Sequence, residues 1–341
     1  MVLRPEGGGR FELDYSLMQS LFDLFTRTKR VAVANASQTQ IQAEVMMQLI
    51  RMAQNTEAAY YEAIIAKDAL RLQREQLELE QNTLVLLKRQ AKQGVLSSSP
   101  VLAQEAAVSM QAHALRNAEA EQTQALSALA QQLGLTSIDR LVLPDHLPPL
   151  PLAAFSEPEL QALALKHRPE LIATNASIDQ ARAEKKLQTG SLRATDPSLG
   201  LGGIRESSGF SLNGLSAQIT LPVFDTGRAR AAMADAKIAQ AQYQAEATRR
   251  LIQLEVERAL ANLIANTKAL EHADHHVRQQ QQLEKLTLSN YAQGSGDYMK
   301  LAEAKRLRLA SQMEQLRARQ MIRAAYVDLE RATGVAMQNL P

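Results

Sequence analysis

Residues 219–232 read ITLPVFDTGRARAA, and residues 16–29 read SLMQSLFDLFTRTK. Each begins with apolar and polar residues in alternation, reaches Phe-Asp, and opens into a long helical pattern. The alternation extends upstream of both. Leu215, Ala217, Ile219 and Leu221 interleave with Ser216, Gln218 and Thr220, as Phe11, Leu13, Tyr15 and Leu17 do with Glu12, Asp14 and Ser16. A period of two marks a strand with one apolar face. Pro222 cannot extend such a strand, and Asp225 stands where a side-chain oxygen could cap the following helix. Phe22, Asp23, Pro222, Phe224 and Asp225 are therefore expected at strand-to-helix junctions.

The likeness is not confined to these stretches. Glu57 falls opposite Glu257, Ile64 opposite Ile264, and Ala69-Leu70 opposite Ala269-Leu270. AKQG, ending at Gly94, matches YAQG, ending at Gly294; LAQQLGL, with Gly134, matches LERATGV, with Gly334. An offset held at 200 to 202 over this distance points to two copies of one strand–long helix–turn–helix unit. The second copy also carries a run of Leu199, Leu201 and Gly203 that forms a hairpin with the next strand across the SSG turn.

Between Phe25 and Gln93 there is neither Pro nor Gly, and between Thr226 and Ala292 only Gly227 interrupts. At 1.5 Å per residue each helix would be about 100 Å long. Leu70, Leu77 and Leu84 make one heptad ladder and Leu72, Leu79 and Leu86 another. Two residues turn a helix by about 200°, so the ladders lie on nearly opposite sides. A two-stranded coiled coil needs one seam, whereas a helix set between two neighbours in a wall needs two. Three parts follow: residues 1–140, a first repeat; 141–155, a linker rich in proline; and 156–341, a second repeat opening on an ascending helix from Ser156 to about Leu192.

Composition narrows the function. With 38 basic and 36 acidic residues, 4% aromatics and no Cys, the chain lacks a basic nucleic-acid face, a disulfide framework and a thiol nucleophile. No apolar run reaches the roughly 20 residues of a spanning helix, and the N-terminus has no signal-peptide core. Glycine-rich phosphate loops, HExxH and G-x-S-x-G are all missing, so neither catalysis nor a cofactor is expected.

Four motifs in order, KHRPELIATNASIDQARAEKK (166–186), DPSLGLGG (196–203), LPVFDTGRARA (221–231) and YAQGSGDYMKLAEAKRLRLASQ (291–312), resemble the TolC family of outer-membrane efflux channels over nearly the whole chain. The resemblance implies a mainly helical protein with a small membrane β part. In such a homotrimer long helical hairpins form a periplasmic α-barrel, and each protomer adds four strands to a shared twelve-stranded outer-membrane β-barrel. A one-sided apolar strand suits such a barrel, whose edges must close in lipid. The implied function is a passive conduit for small molecules or metal ions in a Gram-negative outer membrane. Its implied partners are outer-membrane lipid, a periplasmic membrane-fusion adaptor and, through it, an inner-membrane transporter of the RND or ABC type. DPSLGLGG and LPVFD are closer to the heavy-metal branch than to the multidrug branch. Against this pattern the first copy shows no ascending helix and no first strand. Three strands are thus expected, in a chain that is N-terminally short and lacks its signal peptide. A soluble periplasmic coiled-coil scaffold is the competing reading; it explains the helices but not the paired strands.

The resemblance also assigns sites. Gly94, Leu96, Ser97, Gly294, Gly296 and Asp297 fall at helix tips where adaptors dock, although any antiparallel helix pair needs such turns. Tyr291, Lys300 and Glu303 fall at the periplasmic aperture. Lys300 stands where some members are acidic, and Gly296 where some are basic. A pore-facing Glu303 would form a cation-attracting ring of three; an exposed Glu303 paired along its helix with Lys300 or Arg306 is the plainer alternative. His272 and His276 share a helix face like a zinc pair, but with His275 and Asp274 they read as a solvated patch, and no metal is expected.

Overall fold

The structure is a computed structural model and describes residues 2–6, 10–145, 147, 150, 156–189, 198–206, 211–219 and 227–336. Its elements are β1 (Val2–Glu6), β2 (Arg10–Ser20), α1 (Leu21–Lys92), α2 (Ser98–Gln132), α3 (Glu157–His167), α4 (Pro169–Gln188), β3 (Ser198–Glu206), β4 (Ser211–Gln218), α5 (Arg228–Ala292) and α6 (Tyr298–Thr333). No described helix is long and apolar enough to cross a membrane. The chain divides into two compact units, Met1–Met47 with Arg168–Leu251 and Gln48–His167 with Ile252–Pro341.

The first unit holds an antiparallel sheet in the order β1-β2-β3-β4. Among the described residues there are four strands rather than the expected three. The extra one, β1, pairs Leu3 with Leu13 and Pro5 with Phe11. It is an edge strand, where a proline's missing N–H need cost no ladder bond. Leu17, Leu201 and Leu215 lie directly opposite one another, on one face, and are 76%, 61% and 78% exposed. The next row, Ser16, Gly202 and Gly214, belongs to the other face. Ser20, Ser198 and Gln218 are aligned at one end of the sheet, where the chain enters α1, leaves the segment after α4, and heads for α5.

The first handover to helix comes earlier than the sequence suggests and the second slightly later. β2 ends at Ser20 and α1 starts at Leu21, so Phe22 and Asp23 stand at this junction, within the first turn of the helix. Pro222, Phe224 and Asp225 lie outside the described residues. α5 begins at Arg228, with the Gly227 carbonyl accepting from Ala231 N–H at 2.9 Å, so its first turn starts beyond the expected Thr226. The ascending helix, expected unbroken to Leu192, is two helices. Arg168 has extended ψ and Pro169 opens α4, because a proline disfavours helical geometry in the residue before it.

The second unit is built on seams along α1. Ile65, Leu72 and Leu79 pack with Ala302, Leu309 and Leu316 of α6, one heptad against another. Ala59 and Ala63 pack with Ala125 and Leu129 of α2, with Leu141 and Leu143 of the proline-rich stretch laid against them. In the other ladder Leu70 is buried and Leu77 and Leu84 are half-buried. Tyr326 and Tyr61 are also buried, and the Arg323 guanidinium lies 4.6 Å from the centre of the Tyr61 ring. Burial pushes both phenols up to about 12, and the Glu57 carboxylate that accepts the Tyr61 hydroxyl adds to the shift there. The phenols stay neutral at any physiological pH.

Candidate functional site

The helix tips are built from the same bonds twice. At the α1–α2 turn Val95 N–H donates to Gln90 O at 3.1 Å, and Gly94 N–H to Ala91 O at 3.0 Å. At the α5–α6 turn Ser295 N–H donates to Asn290 O and Gly294 N–H to Tyr291 O, both at 3.0 Å. This paired pattern closes a helix through a left-handed residue. Gly94 and Gly294 supply it at φ 74° and 75°. The tips then diverge. A Cβ on Gly296 would sit 2.7 Å from the Tyr291 nitrogen, inside any real contact, whereas its counterpart in the first copy is Leu96. Ser97 caps α2 through its backbone alone; Asp297 caps α6 by accepting from Met299 N–H at 3.1 Å. Gly94, Ser97, Gly294 and Asp297 are exposed, and Leu96 and Gly296 are half-buried.

The three aperture candidates share the second tip. Tyr291 stacks edge-on against Tyr298 with ring centres 5.9 Å apart. Lys300 is exposed. Glu303 is exposed and 3.4 Å from Arg306, so the plainer pairing along its own helix is formed.

Sequence reasoning missed the strongest polar constellation, which lies just behind these residues. Glu80 on α1, only 5% exposed, receives both arms of the Arg306 guanidinium from α6 at 2.7 Å. Gln104 of α2, also buried, donates to Glu80 Oε2 at 2.6 Å and to the Glu80 carbonyl at 3.0 Å. The Arg306 hydrogen bonds hold the Glu80 carboxyl below the usual carboxylate range, against the opposing effect of burial. One buried carboxylate thereby joins three helices. Next to it Arg308 of α6 reaches Glu284 of α5 at 2.6 Å and Glu75 of α1 at 3.8 Å. The one signal available beforehand was a Glu inside the leucine ladder, and that does not name its partners.

The histidines join no such cluster. His276 Nδ1 is 3.3 Å from Glu314 and Asp274 accepts from Gln315 at 2.6 Å, both across the α5–α6 pair. Among the described residues no three His, Cys, Asp or Glu side chains come close enough to hold a metal.

Long paired helices accompany a four-stranded antiparallel sheet with an exposed leucine row, a pattern that suits strands built to meet lipid. The chain belongs to the outer membrane efflux protein family, whose pattern it matches over residues 4–135 and 160–335. Protein CyaE of Bordetella pertussis is 32% identical over 179 residues, which make up 49% of this chain and 37% of CyaE. The chain thus spans little more than a third of that relative's length. The CmeC outer membrane channel of Campylobacter jejuni has the same fold, with a TM-score of 0.77 at 16% identity over 97% of this chain and 73% of CmeC. The MtrE outer membrane channel of Neisseria gonorrhoeae, solved in its open state, has a TM-score of 0.75 at 20% identity over 98% of this chain and 79% of MtrE.

Proposed function

We propose that the chain is one protomer of a homotrimeric outer-membrane channel, a passive conduit for small molecules or metal ions leaving the periplasm. The observation that carries this reading is the sheet. Its leucine row is exposed with nothing of this chain over it, while the rows Ser16–Gly202–Gly214 and Ser20–Ser198–Gln218 on the opposite face are small or polar and Leu212 is that face's exposed apolar exception; a row of this kind suits a wall between lipid and water. Four strands leave two open edges, which lipid does not tolerate, so the barrel is completed by further copies.

The helices support self-association in a second way. Val31, Ile41, Leu49 and Met52 form an exposed apolar stripe on α1, and Met233, Tyr243, Leu251 and Leu254 form one on α5. Every member of the first has its counterpart in the second 202 residues on. Each copy therefore offers neighbouring copies the same kind of surface from both of its repeats. A membrane-fusion adaptor meets the tips at Gly94, Leu96, Ser97, Gly294, Gly296 and Asp297 and links the channel to an inner-membrane transporter. Tyr291, Lys300 and Glu303 line the entrance.

The decisive experiment expresses the full-length gene product and follows it through fractionation, detergent extraction and bilayer recording. The expected result is an outer-membrane trimer with a stable conductance. A product that stays soluble, or a detergent-extracted monomer without conductance, sinks the reading.

A further inference from the structure

Immediately below the sheet, the start of α1 and the end of α4 enclose an open groove of about 510 Å³ lined by Thr28, Lys29, Ala32, Ala36, Asp179, Arg182, Ala183 and Lys186. Three alanines make its floor and three cations its rim. Asp179 offsets part of that charge, standing 3.3 Å from Arg182. Lys29 donates to the Lys186 carbonyl at 3.1 Å, which holds the two helices together without neutralising either lysine. Exposed Arg27, two residues before Lys29 on α1, adds charge at the groove's edge. The nearby acids Asp235 and Glu184 are occupied by Lys185 and Lys237.

Position gives the groove its meaning. β2 ends at Ser20, and Lys29 lies nine positions on, about 13 Å along the helix. A lysine stem adds several ångströms of reach. If the leucine row lies in hydrocarbon, these cations stand at the depth of the adjoining headgroups. We propose that this groove binds the headgroup of an anionic phospholipid from the periplasmic leaflet, with the phosphate on Lys29, Arg182 and Lys186 and the start of an acyl chain over the alanine floor. This rests on the reading that the sheet enters the membrane. Charge complementarity selects lipid over a second copy, which would bring the same cations to the groove.

The test measures equilibrium binding of spin-labelled phosphatidylglycerol and phosphatidylcholine to the full chain in uncharged detergent. Near an anionic surface each basic residue is worth about fivefold in affinity. The Lys29→Gln/Arg182→Gln/Lys186→Gln variant should therefore lose phosphatidylglycerol about a hundredfold, with phosphatidylcholine unchanged. The distant control Arg89→Gln/Lys92→Gln/Lys268→Gln should bind as the wild type does, and Lys29→Arg/Lys186→Arg should retain affinity. Inorganic phosphate should compete poorly. Equal loss in the control, no loss in the triple variant, or free phosphate displacing the lipid each overturns the proposal. Should the triple variant misfold, Lys29→Gln and Lys186→Gln separately give the same reading at about fivefold each. Insertion of the wild-type chain into pure phosphatidylcholine bilayers is scored separately, so failure of the membrane reading is distinguishable from failure of the lipid site.

Discussion

Gly296 and Gly294 are two residues apart and are glycines for different reasons. Gly294 has a left-handed backbone and open space around its missing side chain, so Gly294→Ala should cost about 1–2 kcal/mol. At Gly296 backbone conformation is not the obstacle; a methyl group would collide with the Tyr291 backbone. Gly296→Ala should lower the thermal midpoint measurably, while Leu96→Ala at the corresponding place should change it little. A differential scanning measurement of the three variants checks this ordering. Glu80 gives a second expectation. Because its folded-state carboxyl is held below the ordinary value of 4.5, its stabilisation is present above that value and is lost as the pH falls through the lowered one. Arg306→Ala strands the buried carboxylate and should cost about 3–5 kcal/mol near neutrality. That penalty should shrink in acid, once Glu80 can be protonated, as urea titrations at both pH values will show. The tip glycines were legible in the sequence because a left-handed cap is a local demand. The Glu80 cluster was not, because its partners are 24 and 226 residues away and only packing unites them.

At the scale of elements the heptads foretold that α1 has more than one packed side but not which side is tighter. Leu72 is 3% exposed between α1 and α6, whereas Leu77 is only half-buried. Leu72→Ala should therefore cost about 2–5 kcal/mol and Leu77→Ala clearly less, by chemical denaturation. The elements that escaped notice are the ones governed by proline. VLRPE has a proline and precedes three glycines, so it lacks a strand's local signature; pairing with β2 makes it one. Pro169 sits inside a convincing helical pattern, and its steric demand on Arg168 falls where two helices meet.

At the scale of the whole molecule, the two halves share local backbone geometry. Glycines at 94 and 294, and at 134 and 334, carry the same positive φ in both copies, so the repeat seen in letters is also a repeat of backbone geometry. If the two exposed stripes serve equivalent contacts, Leu49→Glu and Leu251→Glu should each shift the detergent-solubilised trimer toward monomer, to comparable extents, in analytical ultracentrifugation. Leu201→Arg, in the middle of the leucine row, should disfavour membrane insertion by about 2–4 kcal/mol and move the protein out of the outer-membrane fraction.

A side chain stands at 96 and none fits at 296, so the two bends differ despite their similar sequence. Three copies closed in a ring would show six sockets alternating between two shapes, one forgiving of substitution and one that rejects even a single carbon. If a ligand protein encircles that rim as proposed, it meets every second socket differently, with position 96 open to other side chains and position 296 closed to them.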